Sequence, residues 1–460
     1  MSVNRLLTLG KWVLFLVGVL VACLPLAFEL YVRHVEHTLA TRIASIHRSG
    51  APTTLAEIAG PPLPDSENAA PVYQQAFKAL NLNSDNEKLL EDATRGRVDA
   101  ADAAALAQVR AVLTANTQTL ALLRRAVQMP GCRFPVKWKA KSCPPPAHWL
   151  QLPKCALLPA TQAVLLARSG DARGALGACA TSFGVEKSLA EERTVQSQLI
   201  RYWLLRIACH ALEQVLSHSG PPALQSAALA DYISQIDLKK AYLAALEGDR
   251  AEDLSTVNDI MSARDPIAAL KAVLPEDPLG ERVSPVAVLT TRAHSRSPFL
   301  RLALAQDALS LLDIWDRTVQ LGQVPYRELW LAYPQPDVLL FRLSPFAQPL
   351  TYKLYHSYDL PVRQRDLALA HLGLAQIALH LKAYHATHGA YPASLPALEQ
   401  ATGRSLPPDP FSGEPFAYRR QPQGFLLYSW GCDLNDDDGA PLTNRGGLVG
   451  EGDLVFRCLR

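Results

Sequence analysis

The sequence predicts a mainly α protein in three parts. These are an N-terminal transmembrane helix, an α-helical region of hairpins arranged in a solenoid-like manner, and a C-terminal α+β unit of one long helix and a small antiparallel sheet. Three observations carry this expectation. An uncharged apolar run opens the chain; Ala- and Leu-rich stretches with apolar residues at threes and fours fill most of the remainder; and short apolar runs separated by turn residues close it. Ala and Leu lose little on entering a helix, so such stretches favour that state. The implied divisions are 1–32, 33–361 and 362–460.

The first element is the apolar run 12–28, preceded by Arg5 and Lys11 and ended by Glu29. It is slightly shorter than the roughly 20 residues that cross a bilayer core, and Tyr31 extends it at the far interface. Arg33, Arg42 and Arg48 follow, which weakens the charge bias. The short leader favours the N-terminus inside and the bulk outside. Leu20-Val21-Ala22-Cys23 has the form of a lipobox, yet the apolar run continues to Phe28. An uncleaved signal anchor therefore leads over an acylated Cys23 or a cleaved signal peptide, and all three export the rest of the chain.

An oxidising compartment permits disulfides. Cys432 and Cys458 flank the terminal segment and form the first candidate pair; Cys132 and Cys143 form the second. Beyond Cys23 an odd number of cysteines remains, and Cys179 and Cys209 read as buried thiols in helices. The 45 basic and 43 acidic side chains leave a net charge of +2, with no basic face of the kind nucleic acid needs.

Next in order, residues 29–50 continue the first helix, and Gly60-Pro61-Pro62-Leu63-Pro64-Asp65 is a stiff connection. Helices are expected over 68–80 and 98–128, the second stopped by Met129-Pro130-Gly131. The segment 132–154, dense in Pro, Lys and Trp, reads as a solvated basic loop closed by a cysteine bridge. Helices over 157–168, 172–189 and 194–218 follow. Their corner at Ser169-Gly170-Asp171 resembles a tetratricopeptide-type hairpin, without a clean repeat of about 34 residues. Further helices are expected over 224–246 and 299–321, with an irregular cover over 325–362.

In the last part, Leu367, Ala370, Leu374, Ile377, Leu381 and Tyr384 form one apolar stripe, and Gly389 supplies the stop. Strands are expected over 415–419, 425–430 and 453–457. No nucleophile elbow, P-loop or dinucleotide fingerprint occurs, so no enzymatic activity is expected. His385-x-x-His388 lacks the companions of a metal site.

Four motifs stand in series: Gly389-Ala390-Tyr391-Pro392; Asp409-Pro410-Phe411-Ser412-Gly413-Glu414-Pro415-Phe416 leading to Tyr418; Tyr428-Ser429-Trp430-Gly431; and the acidic stretch 433–439. In order and spacing this resembles the C-terminal region of the type II secretion major pseudopilins, over about a fifth of the chain. In that family the long helix directly follows a cleaved leader, with a Glu five residues past the cut. Here Phe15 takes that place, and the helix stands far from the apolar run. The resemblance therefore implies a module detached from its polymerising anchor. It also implies a calcium site in the acidic loop. Asp433, Asn435 and Asp437 would be oxygen ligands, with Glu451 or Asp453 closing the site; a solvated acidic turn is the alternative. The resulting expectation is a single-pass protein of the bacterial inner membrane with its bulk in the periplasm. Its role would be structural or interactive, with envelope or secretion proteins as partners. The alternative is an envelope hydrolase with a site between the helical and C-terminal parts.

Overall fold

The computed structural model describes residues 3–136, 145–220, 222–273, 297–332, 351, 359–442 and 452–458. Helix α1 (Val3–Arg48) is continuous and passes through Pro25. Its apolar stretch is almost bare of protein, 6% buried over the most apolar window. The following turns are not: Val32, Val35 and Leu39 are buried. Short helices α2 (Leu55–Ala59), α3 (Ala70–Ala79), α4 (Ser84–Thr94), α5 (Ala103–Ala115) and α6 (Thr117–Ala126) come next. The single helix expected over 98–128 is broken at Asn116. That side chain is fully buried; its Nδ2 donates to Asn81 O and Val112 O, and its Oδ1 accepts from Asn81 N. An amide clamping a neighbouring loop thus interrupts the helix ladder.

Helix α7 (Ala147–Arg168) starts inside the segment expected to be a loop and carries Pro153 and Pro159 within it. Packing on all sides holds it: its residues from Leu152 to Ala163 are almost all buried. The Gly170-Asp171 corner is present, with Asp171 Oδ1 accepting from Gly174 N to start α8 (Ala172–Gly184). Thr194 and Asp237 cap α9 (Val195–His218) and α11 (Leu238–Ser262) in the same way; α10 (Ala223–Ser234) lies between them. Helices α12 (Pro266–Val273), α13 (Pro298–Gly322) and α14 (Tyr326–Ala332) follow. These helices do not stack as a one-dimensional array. Helix α9 touches α7 and α8 but also α15 (Asp359–His388), far along the chain.

Helix α15 differs from the expected single stripe. Ala368, Leu372, Ala375 and Leu379 are as buried as Ala370, Leu374, Ile377 and Leu381. The reason is its position between α9 and α10 on one side and strands β2 (Gly424–Ser429) and β3 (Leu454–Cys458) on the other. At Gly373 any side chain would strike the Phe416 ring, so the close approach of the terminal segment depends on that glycine. Gly389, with φ 72°, ends the helix by donating to His385 O. Helix α16 (Leu395–Thr402) and strand β1 (Ala417–Gln421) complete an antiparallel meander in the order β1-β2-β3. One buried cluster of the described residues runs from Val35 to Cys458.

Charge enters this core in pairs. Arg365 and Asp366 are each 1% exposed at the side chain, 2.7 Å apart. Arg365 also donates to the carbonyls of Gly322 and Val324, and Asp366 accepts from Tyr326 N. The pair thereby locks α15 to the end of α13 and the start of α14. Breaking such a pair strands a buried charge, at about 3–5 kcal/mol. Arg201 and Glu186 form a second buried pair, with Tyr232 donating to the same carboxylate.

His210 on α9 and His371 on α15 meet edge to face, 5.4 Å between centroids. Burial, then the neighbouring arginines, push His210 down to about 3; burial, then His210, hold His371 well below 6.5. Both stay neutral in the fold and become protonated on unfolding near pH 6.5, so the stability they allow is lost as pH falls below that value. Glu213 opposes them, since burial raises it to about 7. A comparison with His210→Asn isolates the effect. The parent's stability should fall relative to the variant by about 1.4 kcal/mol per pH unit below 6.5, read from urea midpoints at pH 7 and pH 5. A constant difference between the two proteins would contradict the neutral, buried assignment.

Candidate functional site

The terminal sheet is held at one corner by Asp409, which is 1% exposed. Its Oδ1 accepts from Phe411 N and from Ser429 Oγ at 2.6 Å, and its Oδ2 accepts from Trp430 N and Ser412 N. One carboxylate thus closes the Asp409-Pro410-Phe411-Ser412-Gly413 turn and ties it to the end of β2. Strand β2 is buried at every position. Phe425, Leu427 and Ser429 share one face: Phe425 meets Tyr391 just beyond α15, and Ser429 bonds to Asp409. Leu426 and Tyr428 face the other way and are covered by Gly439. The acidic loop is therefore a lid on the outer face of the sheet. The unbroken run Phe425-Leu426-Leu427-Tyr428 is the sequence signal for this two-sided burial.

The candidate ligands lie around this lid. Asp433 is half-buried; its Oδ2 accepts from Gly452 N at 2.8 Å and its Oδ1 from Asn435 N. Asn435 and Asp437 are exposed. Asp453 is wholly buried. Its Oδ2 accepts from Gly439 N at 2.6 Å, while its Oδ1 is buried with no hydrogen-bond partner among the described residues. Burial pushes Asp453 up to about 6; the backbone N–H groups of Gly439 and Asp437 oppose it, and the carboxylates of Asp436 and Asp437 add to it. Its backbone pairs with Ala440 and Leu442, which fastens the loop to the root of β3. Asp436 and Asp438 are engaged otherwise: Tyr428 OH donates to Asp436, and Arg419 reaches Asp438. Leu434 and Asp438 adopt left-handed backbone, as tight loops require. Among the described residues no three His, Cys, Asp or Glu side chains converge into a metal cage. The donor set is nonetheless all oxygen, and the orphaned Asp453 Oδ1 is the kind of atom a hard cation satisfies. Glu451 lies outside the described residues.

The expected Cys432–Cys458 bridge is not formed; both side chains are buried and not bonded to one another. The register explains why. Cys458 stands opposite Phe425, whereas Cys432 lies beyond Ser429, the partner of Leu454 at the other end of the ladder. At roughly 3.3 Å per residue the two are too far apart for the roughly 4.4–6.8 Å Cα separation a disulfide needs. Cys458 Sγ instead donates to Leu216 O at 3.2 Å on α9. Cys132 is free, and Cys143 lies outside the described residues. Cys179 and Cys209 are buried free thiols, as read from their helices.

A cavity of about 340 Å³ opens where α9 and α15 end, lined by His218, Lys382, His385 and Tyr391 among others. Sequence reasoning did not single out Lys382, which is 8% exposed and has no ion pair or hydrogen bond among the described residues. The two serines in the lining are committed to backbone: Ser217 Oγ donates to Arg457 O and Ser219 Oγ to Val215 O. Neither hydroxyl donates to a histidine among the described residues. A second cavity, about 450 Å³, is lined by Arg133, Glu191 and Glu192 between α2 and the start of α3. Glu192 accepts from Trp149 Nε1 and contacts His148, which ties α7 to the turn before α9.

Comparison of the chain with family models, curated proteins and solved structures finds no match. The site therefore stands on its own geometry. Replacing Asp409 by Ala should remove the tie between turn and sheet and lower stability by about 2–4 kcal/mol, from lost bonds to a charged acceptor. Urea unfolding monitored by tryptophan fluorescence checks this, because Trp430 reports the loosened corner. A change within experimental error would remove Asp409 from that role.

Proposed function

We propose that this chain is a single-pass envelope protein of the bacterial inner membrane. Its helical body stands in the periplasm and presents a pseudopilin-like terminal unit to envelope or secretion proteins. The observation that supports this most is the division of α1. The helix is bare along its apolar stretch and becomes buried where its charged residues begin, as a membrane anchor leading into a folded body would be. A tagged C-terminus should be digested by protease added to intact spheroplasts. Protection of that tag would refute export.

In this reading calcium organises the terminal lid. Asp453 and Asp433 would hold the ion, with Asn435 and Asp437 drawn in from solvent; the ion would supply the positive charge that the acidic loop and the buried Asp453 carboxylate call for. The full chain in detergent should gain about 2.7 kcal/mol when calcium exceeds Kd a hundredfold over chelator-treated protein, and Asp453→Asn should abolish the gain. Equal stability of the parent with calcium and with chelator would remove calcium from the account. The solvated loop would then serve as a sheet cover alone.

A further inference from the structure

Helix α13 runs parallel to α1 and in step with it. Phe28 meets Phe299 at 4.6 Å, Arg301 bridges Glu29 and Glu36, and further along Arg42 pairs with Asp313 and Asp316. The first turn of α13 therefore lies level with Phe28, the last residue of the apolar run. Phe299 remains 69% exposed even with Phe28 against it. Leu150, Leu224 and Leu331 are exposed elsewhere on the body. Phe299 differs from them because its ring continues the bare apolar surface of α1, where Leu24, Leu26 and Leu30 are also exposed. Immediately behind it the charges are mutually satisfied: Glu29 accepts from both Arg33 and Arg301.

We infer that the first turn of α13 is a second membrane contact, with the Phe299 ring seated in the lipid interface beside Phe28. This rests on α1 being the bilayer span. The occupant is lipid because the exposed ring is contiguous with the apolar run, and because the compensated cluster of Glu29, Arg33, Arg301 and Glu36 then falls at headgroup depth, where paired charges are tolerated. A lone span leaves the body free to tilt and rotate. Two contacts joined by the Arg301 bridges fix which face it turns to the membrane.

The test uses the full chain reconstituted in vesicles of phosphatidylethanolamine and phosphatidylglycerol. A photoreactive benzoylphenylalanine is placed in turn at Val21, Phe299 and Gln320. Gln320 is exposed on the same helix, roughly 30 Å further along at 1.5 Å rise per residue. Lipid adducts are expected from positions 21 and 299 and none from 320. Adducts at 21 without any at 299, or adducts at 299 only to a second protein chain, would overturn the inference and leave the anchor intact. No lipid adduct at 21 would remove the anchor itself, and this contact with it.

Discussion

Helix α15 has no free face, and that constraint shapes the rest of the molecule. A helix of 30 residues held between two other helices and a sheet must bury whatever its sequence places on every side. Most of it is aliphatic, but Arg365, Asp366, His380 and Lys382 are buried too, and His371 is half-buried. Each is accommodated differently. Arg365 and Asp366 neutralise one another and bind the ends of neighbouring helices; His371 stays neutral against His210; burial holds His380 below its usual value; Lys382 lines the wall of a cavity. A charge that is neither paired, neutralised nor hydrated would cost more than the core gains by enclosing it.

The sheet inherits its form from that helix. Only one face of β2 can dock on α15, so the other needs its own cover, and the acidic loop supplies it through Gly439 over Leu426 and Tyr428. This couples two properties that need not go together. The loop is rich in carboxylates, yet its position is set by apolar contact. The carboxylates accept backbone amides of the loop and leave one buried oxygen of Asp453 without a partner among the described residues. A cation there would act on a frame that the sheet already holds in place.

Much of this was legible in the residues. The Gly170-Asp171 corner, the stop at Gly389 and the three strands all lie within a few positions of where punctuation and apolar runs put them. Local signals sufficed because each depends on backbone geometry within a few residues. What escaped depends on partners distant in sequence. Asn116 breaks a helix because Asn81 comes to it; α7 absorbs Pro153 and Pro159 because packing surrounds it; and Cys432 and Cys458 look like a pair only until strand register separates them. Of the candidate site, the acidic residues were visible from composition. The burial of Asp453 and the stapling role of Asp409 were not, since both follow from how the meander closes on itself.

Strand β3 lies against α9, with Arg457 and Cys458 bonded to Glu213, Leu216 and Ser217 across more than two hundred residues of chain. Such separations make closure of the core a late event in folding, since the ends of a long loop must meet before the contact yields anything. Until that strand arrives, the tail of α9 and one flank of α15 stand open to water as sticky aliphatic surface. That exposure is a kinetic cost of the topology, independent of how stable the finished molecule is.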